Sequence, residues 1–142
     1  MSAWLIYALL SAITAAAVAI LGKIGLQQLD ANTATAIRAV IMAVFLVGVV
    51  IVQGKFQLVQ AIVQDKKAIF VIALSGIAGA LSWLFYFMAI KVGKVSQVAP
   101  IDKLSVVFAV VFAVILFGEK ISLWAGVGVA LIAIGAILVA LN

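Results

Sequence analysis

Among its 142 residues the chain has no cysteine and no histidine. Without cysteine there are no disulfides and no thiolate chemistry, and the redox state of the compartment stays open. Without histidine, the usual zinc and haem ligands and the base of a Ser-His pair are missing. Acidic residues are nearly absent too: Asp30, Asp65, Asp102 and Glu119 are all there are. No acid, base and nucleophile constellation can be drawn from them, so no enzymatic activity, metal or cofactor is expected. Proline occurs once, at Pro100. Charged residues make up only 9% of the chain against 69% hydrophobic. The mean hydropathy is +1.47, and soluble domains hold only about 45–50% apolar residues. The chain is therefore expected in a lipid bilayer. Its net charge of +5 comes from nine basic residues that are scattered and mostly bound the apolar segments. They read as membrane-edge anchors, and nucleic acid is not an expected partner.

The first apolar run, Ala3 to Gly22, is 20 residues without a charge, enough to cross a hydrocarbon core of about 30 Å. No Lys or Arg precedes it, and it is longer than a secretory apolar region, so a signal peptide is not expected. Trp4 and Tyr7 suit an interfacial belt at its start. Further runs at about 33–52, 68–90, 99–117 and 123–141 bring the expected number of membrane helices to five, within one domain covering residues 1–142. Asn32 or Thr33 is placed to cap the second helix and Ser122 the fifth. Between helices two and three, Phe56, Val59, Ile62 and Val63 recur at helical spacing, with Gln57, Gln60 and Gln64 on another face. Two readings fit that segment: a short helix lying in the interface, and a solvated loop with incidental apolar residues.

Five spans put the termini on opposite faces, which allows the basic residues to be sorted by side. The N-terminal side holds Lys55, Lys66, Lys67 and Lys120, four in all. The other side holds Lys23, Lys91 and Lys94, or five residues if the deeper Arg38 and Lys103 are added. Either way the difference is one charge, a weak instruction under the positive-inside rule. Charge counting leaves two outcomes open: one orientation fixed by something else, or copies inserted both ways that pair antiparallel. Small residues support close helix packing. In helix five, Ala125, Gly128 and Gly135 share one stripe, and Gly126, Ala130, Ala133 and Ala140 a neighbouring one. Gly126, Gly128 and Gly135 are the candidate contacts with a partner chain.

Asp102 lies 17 residues before Glu119, or roughly 25 Å of helix. Glu119 is expected at one membrane edge, so Asp102 and Lys103 fall slightly inside the opposite one. Pro100 belongs in a helix's first turn, which places Asp102 near the positive end of the dipole. On one reading Asp102 is only that first-turn acid, with Lys103 snorkelling outward. On the other, the charges face a water-filled pathway, as ionisable groups in membranes tend to do. Arg38 is on the same side and is a candidate partner for Asp102. One Arg, one Lys and one Asp leave a net positive site, which favours a carboxylate- or phosphate-bearing solute over an organic cation. Trp83 and Tyr86 are candidate cavity residues. Glu119 follows Gly118 in a tight turn, where its carboxylate is placed to satisfy the free N–H groups of the last helix.

The pattern from Ala99 and Pro100 through an apolar helix to "LFGEKIS" (Leu116 to Ser122), and then a glycine-rich helix "AGVGVALIAIGAIL", resembles the EamA domain of the drug/metabolite transporter superfamily. Arg38 early in helix two fits the same pattern, and the resemblance covers essentially the whole chain. It implies an all-α integral membrane transporter, usually ten helices built from two inverted five-helix repeats with the substrate site between halves. This chain has one such repeat. The resemblance therefore implies an antiparallel homodimer of dual topology in the cytoplasmic membrane, like the related small multidrug resistance proteins, which gives the balanced Lys/Arg count a reason. The membrane acid of helix one on which those proteins rely is absent, since Ala3 to Gly22 has no Asp or Glu. Their proton-coupled cation export is therefore not expected. The leading expectation is a secondary transporter of a small metabolite or drug-like solute working by alternating access, with Arg38, Asp102 and Lys103 as solute or ion contacts. A non-transporting subunit of a heteromeric complex and a lipid-carrier flippase are the competing expectations.

Overall fold

The computed structural model describes residues 2–141. The described residues form seven helices: α1 (Ala3–Gly25), α2 (Ala31–Val52), α3 (Phe56–Gln64), α4 (Lys66–Val92), α5 (Val95–Asp102), α6 (Leu104–Phe117) and α7 (Leu123–Ala140). Five segments are long and apolar enough to cross a membrane: α1, α2, α4, the pair α5–α6 taken together over Val95–Phe117, and α7. Almost all their large apolar side chains point outward; the buried hydrophobic residues are Ala19, Leu26, Ala31, Phe87, Ile90 and Ala136. Such helices need the apolar solvent of a bilayer, because lipid satisfies their surfaces while each helix pairs its own backbone.

Local chemistry sets the helix starts. Asp30 caps α2, its Oδ2 accepting from the Thr33 N–H at 2.8 Å and from the Thr33 hydroxyl at 3.0 Å. Asn32 and Thr33, the capping candidates from sequence, thus lie inside the first turn; Thr33 donates to the cap instead of supplying it. The segment between α2 and α4 is helical, which decides between its two readings. Phe56, Val59 and Val63 line one face of α3 and Gln57, Gln60 and Gln64 another, the pattern of a helix lying in the interface. Asp65 then accepts from the Lys67 and Ala68 N–H groups at 3.0 Å each, so α4 starts at once.

The chain folds as two compact units, one comprising Gly25–Met88 and the other the residues through Ile24 together with those from Ala89 onward. The first contains α2, α3 and most of α4. In the second, α7 packs against α5 and α6, and Gln97 Nε2 donates to the Ala140 carbonyl at 3.4 Å. The corner between α4 and α5 is tight: a Cβ on Gly93 would come within 3.1 Å of both the Ala89 carbonyl oxygen and Val98 Cγ2. Only glycine fits there without displacing its neighbours.

The fourth span differs from its expected form. It starts at Val95, not Ala99, and Pro100 is the sixth residue of α5 instead of part of a first turn. Proline has no N–H to give the carbonyl four residues back, and its ring crowds that carbonyl. The helix accommodates this just downstream, where Lys103 N–H bonds Pro100 O at 3.0 Å and Val106 N–H bonds Lys103 O at 3.0 Å. These are tight i to i+3 bonds. α6 follows at Leu104, so the span is one helix interrupted by a single tight turn at Lys103 (φ −71°, ψ −8°). At its far end Gly118 adopts the left-handed conformation (φ 63°), and its N–H and that of Glu119 both point to the Ala113 carbonyl. A side chain there costs about 1–2 kcal/mol. Gly118→Ala is therefore expected to lower stability by about 1 kcal/mol, read as a lower midpoint of thermal unfolding in detergent micelles. An unchanged midpoint would contradict the strain argument.

Candidate functional site

Arg38 lies seven residues past the start of α2, about 10 Å along the axis. An arginine at such depth commonly snorkels toward the near interface. Here it does not. Its guanidinium carbon lies 3.9 Å from the centroid of Trp83 and 5.0 Å from that of Phe87. Trp83 is nine residues before the end of α4, about 14 Å along that helix, and α4 ends on the face where α2 begins. The guanidinium is thus held at depth by aromatic rings from the neighbouring span.

Helical spacing builds this aromatic cradle. Trp83 and Phe87 are four residues apart and share a face of α4, and their rings sit 5.7 Å apart. Tyr86 meets Trp83 edge-on at 5.7 Å. Phe87 is 3% exposed and forms the floor, while Trp83 and Tyr86 are half-buried and accessible. Phe85, another aromatic of α4, points away and is exposed. Phe87 therefore belongs to the site although nothing marked it above the other aromatics in sequence; the i, i+4 register with Trp83 was the available signal.

Energetics favour a further partner for Arg38. Placing an arginine at the centre of a membrane helix costs about 2.5–3.5 kcal/mol, and a desolvated cation–π contact returns about 2. The rings lie against the guanidinium and supply no carboxylate or carbonyl oxygen to its N–H donors. Among the described residues no carboxylate or carbonyl accepts from that edge.

Asp102 is engaged elsewhere. Its carboxylate pairs with Lys103 Nζ at 3.1 Å, with Lys103 56% and Asp102 34% exposed. Asp102 ends α5 instead of opening a helix, so the first-turn role expected of it does not hold; the break after Pro100 moved the helix end onto it. Arg38 stacks on Trp83 and Asp102 pairs with its neighbour, so each has a partner other than the one expected. An exposed pair of this kind contributes about 0–1 kcal/mol. Its charges cancel, leaving Arg38 as the deep basic group without an acidic partner among the described residues.

Two features were missed in sequence. Lys23, read there as an edge anchor, lies in the last turn of α1. Its Nζ donates to the carbonyls of Ile90 at 2.6 Å, Gly93 at 2.9 Å and Lys91 at 3.4 Å. These are orphan acceptors at the end of α4, where a cation also suits the helix dipole. Its only signal was position, since expected α1 ended before it. The second feature is a shallow cavity of about 320 Å³ lined by Ala89, Gln97, Val98, Ile101 and Ala140. Gln97 is its polar group, in the first turn of α5 before the break.

At the start of α7 the cap is Ser122, whose Oγ accepts from the Ala125 N–H at 3.1 Å. Ser122 is thus the cap that its position predicted, and the role expected of Glu119 does not hold, because Glu119 is still in the turn out of α6. On α7, buried Ala136 and hydrogen-bonded Ala140 mark the face turned to its own chain. Gly126 and Ala133 share that face by spacing. Gly128 and Gly135 fall on the opposite one, where added Cβ atoms would meet nothing within 4 Å.

These features define an all-helical, multi-pass membrane protein with an arginine–aromatic site in its spans and an interrupted fourth span. The chain belongs to the EamA-like transporter family, whose sequence model matches residues 2–141. A Sinorhizobium protein named as an uncharacterized transporter in the cobO 3' region is 42% identical over 137 residues, covering 96% of each chain. No solved structure matches.

Proposed function

We propose that this membrane transporter is a secondary carrier that moves a small metabolite or drug-like solute across the cytoplasmic membrane by alternating access. Two copies inserted in opposite orientations form an antiparallel homodimer, with residues 1–142 of each copy contributing one five-span domain. Arg38, Trp83 and Tyr86 contact solute, and Asp102 and Lys103 are further candidate contacts for solute or coupling ion. The observation that carries this reading is a single repeat with near-equal basic residues on its two faces, in a family of transporters. Transporters of inverted repeats place substrate between the halves and use interrupted helices there. The open glycines of α7 support a partner helix at close range.

Topology tests the dimer. Single cysteines at Gln28 and Gln64, in a chain with no native cysteine, are expected to react with an impermeant maleimide from both sides of the membrane. Reaction of each from one side only would remove the dual-topology dimer. A second expectation concerns α7. Gly128→Leu with Gly135→Leu should shift crosslinked dimer to monomer without lowering the helical content measured by circular dichroism, since a Cβ at either position meets nothing within 4 Å in its own chain. Persistent dimers would place the interface elsewhere.

A further inference from the structure

We infer that Arg38 is the recognition point for a carboxylate-bearing organic anion, gripped by the N–H edge of the guanidinium while the flat apolar body of the solute rests against Trp83 and Tyr86. The inference rests on the proposed transporter function and gives it a substrate class.

Three observations converge. Trp83 holds the guanidinium carbon 3.9 Å from its ring centroid, which fixes the position of the fork, and a ring offers its donors no carboxylate or carbonyl oxygen. A planar fork of paired N–H donors matches a carboxylate with two parallel hydrogen bonds, a fit that a lysine ammonium does not reproduce. Next, among the described residues no protein group accepts from that fork, which leaves its donors to an acceptor such as a bound solute. Finally, no acid among the described residues pairs with Arg38, so it brings one uncompensated positive charge. A carboxylate cancels it. A phosphate dianion would leave one net negative charge in apolar surroundings, and an organic cation would add a second positive one; both are penalised by desolvation. The depth of Arg38, about 10 Å inside its helix, also favours a free solute over a lipid headgroup, which stays at the interface. The half-buried rings of Trp83 and Tyr86 provide the wall for an apolar body.

The test uses the full chain in phosphatidylcholine nanodiscs with Trp4→Phe and Trp124→Phe, leaving Trp83 as the fluorescent reporter. Benzoate is expected to change Trp83 emission saturably, and benzylammonium at the same concentrations is not. Arg38→Lys should weaken benzoate binding at least about tenfold by losing the fork, and Arg38→Gln should remove it. Equal binding of benzylammonium, tighter binding of phenyl phosphate, or undiminished benzoate binding in both Arg38 variants would overturn the inference. The comparison among the three ligands on the arginine-containing protein decides even where a variant does not fold. Loss of the benzoate response when phosphatidylglycerol is added would assign Arg38 to an anionic lipid headgroup and also overturn it. Solute flux in proteoliposomes separates the two readings. Protein-dependent flux of a cation without benzoate binding leaves the carrier standing and sinks the anion site. Benzoate binding through Arg38 without any flux supports the site and sinks the carrier.

Discussion

Arg38→Gln is expected to reduce solute transport at least about thirtyfold, while Asp102→Asn combined with Lys103→Gln is expected to reduce it less than about fivefold. The contrast comes from what each charge touches. Arg38 is held at depth by Trp83 and Phe87, and removing it leaves any bound anion without its partner in a poorly hydrated site, where such losses cost about 2–5 kcal/mol. Asp102 and Lys103 pair with each other in partly exposed positions, and replacing both by neutral side chains removes a contact that water already screens. The measurement is initial uptake into proteoliposomes at matched protein density, with circular dichroism to confirm folding. Equal losses from the two changes would mean that Asp102 and Lys103 act on the solute directly; a transport-competent Arg38→Gln protein would remove Arg38 from the site.

Lys23→Met is expected to destabilise the protein by about 2–3 kcal/mol, seen as a drop of several degrees in the unfolding midpoint in detergent. The ammonium satisfies three carbonyls at the end of α4, and a hydrogen bond to a charged group contributes about 1.5–3 kcal/mol net. Methionine keeps the length and apolar stem and removes only the donors. The effect stays below the sum of three such bonds because the Lys91 contact, at 3.4 Å, is long and because water reaches a helix end near the interface. Lys23→Arg keeps the charge and should recover part of the loss. A midpoint matching the parent protein would show that water replaces the ammonium at no cost.

The membrane spans were legible because length and hydropathy alone report them. The starts of two helices were less so. At α2 the sequence pointed to Asn32 or Thr33 and passed over Asp30, whose role depended on one carboxylate oxygen reaching two donors on Thr33. At α5 the lone proline suggested a first turn, yet the backbone continued for five residues ahead of it and broke after it. That outcome depends on the Gly93 corner and on α5 packing against α7, and neither is written in a local window. Arg38 and Trp83 were both singled out from sequence as site residues. Their union was not, because opposite charge made Asp102 the obvious partner for Arg38 and ring faces carry no formal charge to count.

By itself the sequence determined that the chain is an all-helical membrane protein of five spans, that it carries few internal charges, and that its Pro to Gly-Glu segment resembles a transporter family. Bilayer thickness, hydropathy and helical period are properties of composition and order, so they need no contacts to be read. Only the tertiary structure decided which charge is paired and which is not, that Lys23 closes the end of α4, and that the fourth span is interrupted at Lys103. Each of these depends on the distance between groups far apart in the chain or on the competition of neighbours for the same backbone acceptors, and such distances are set by packing.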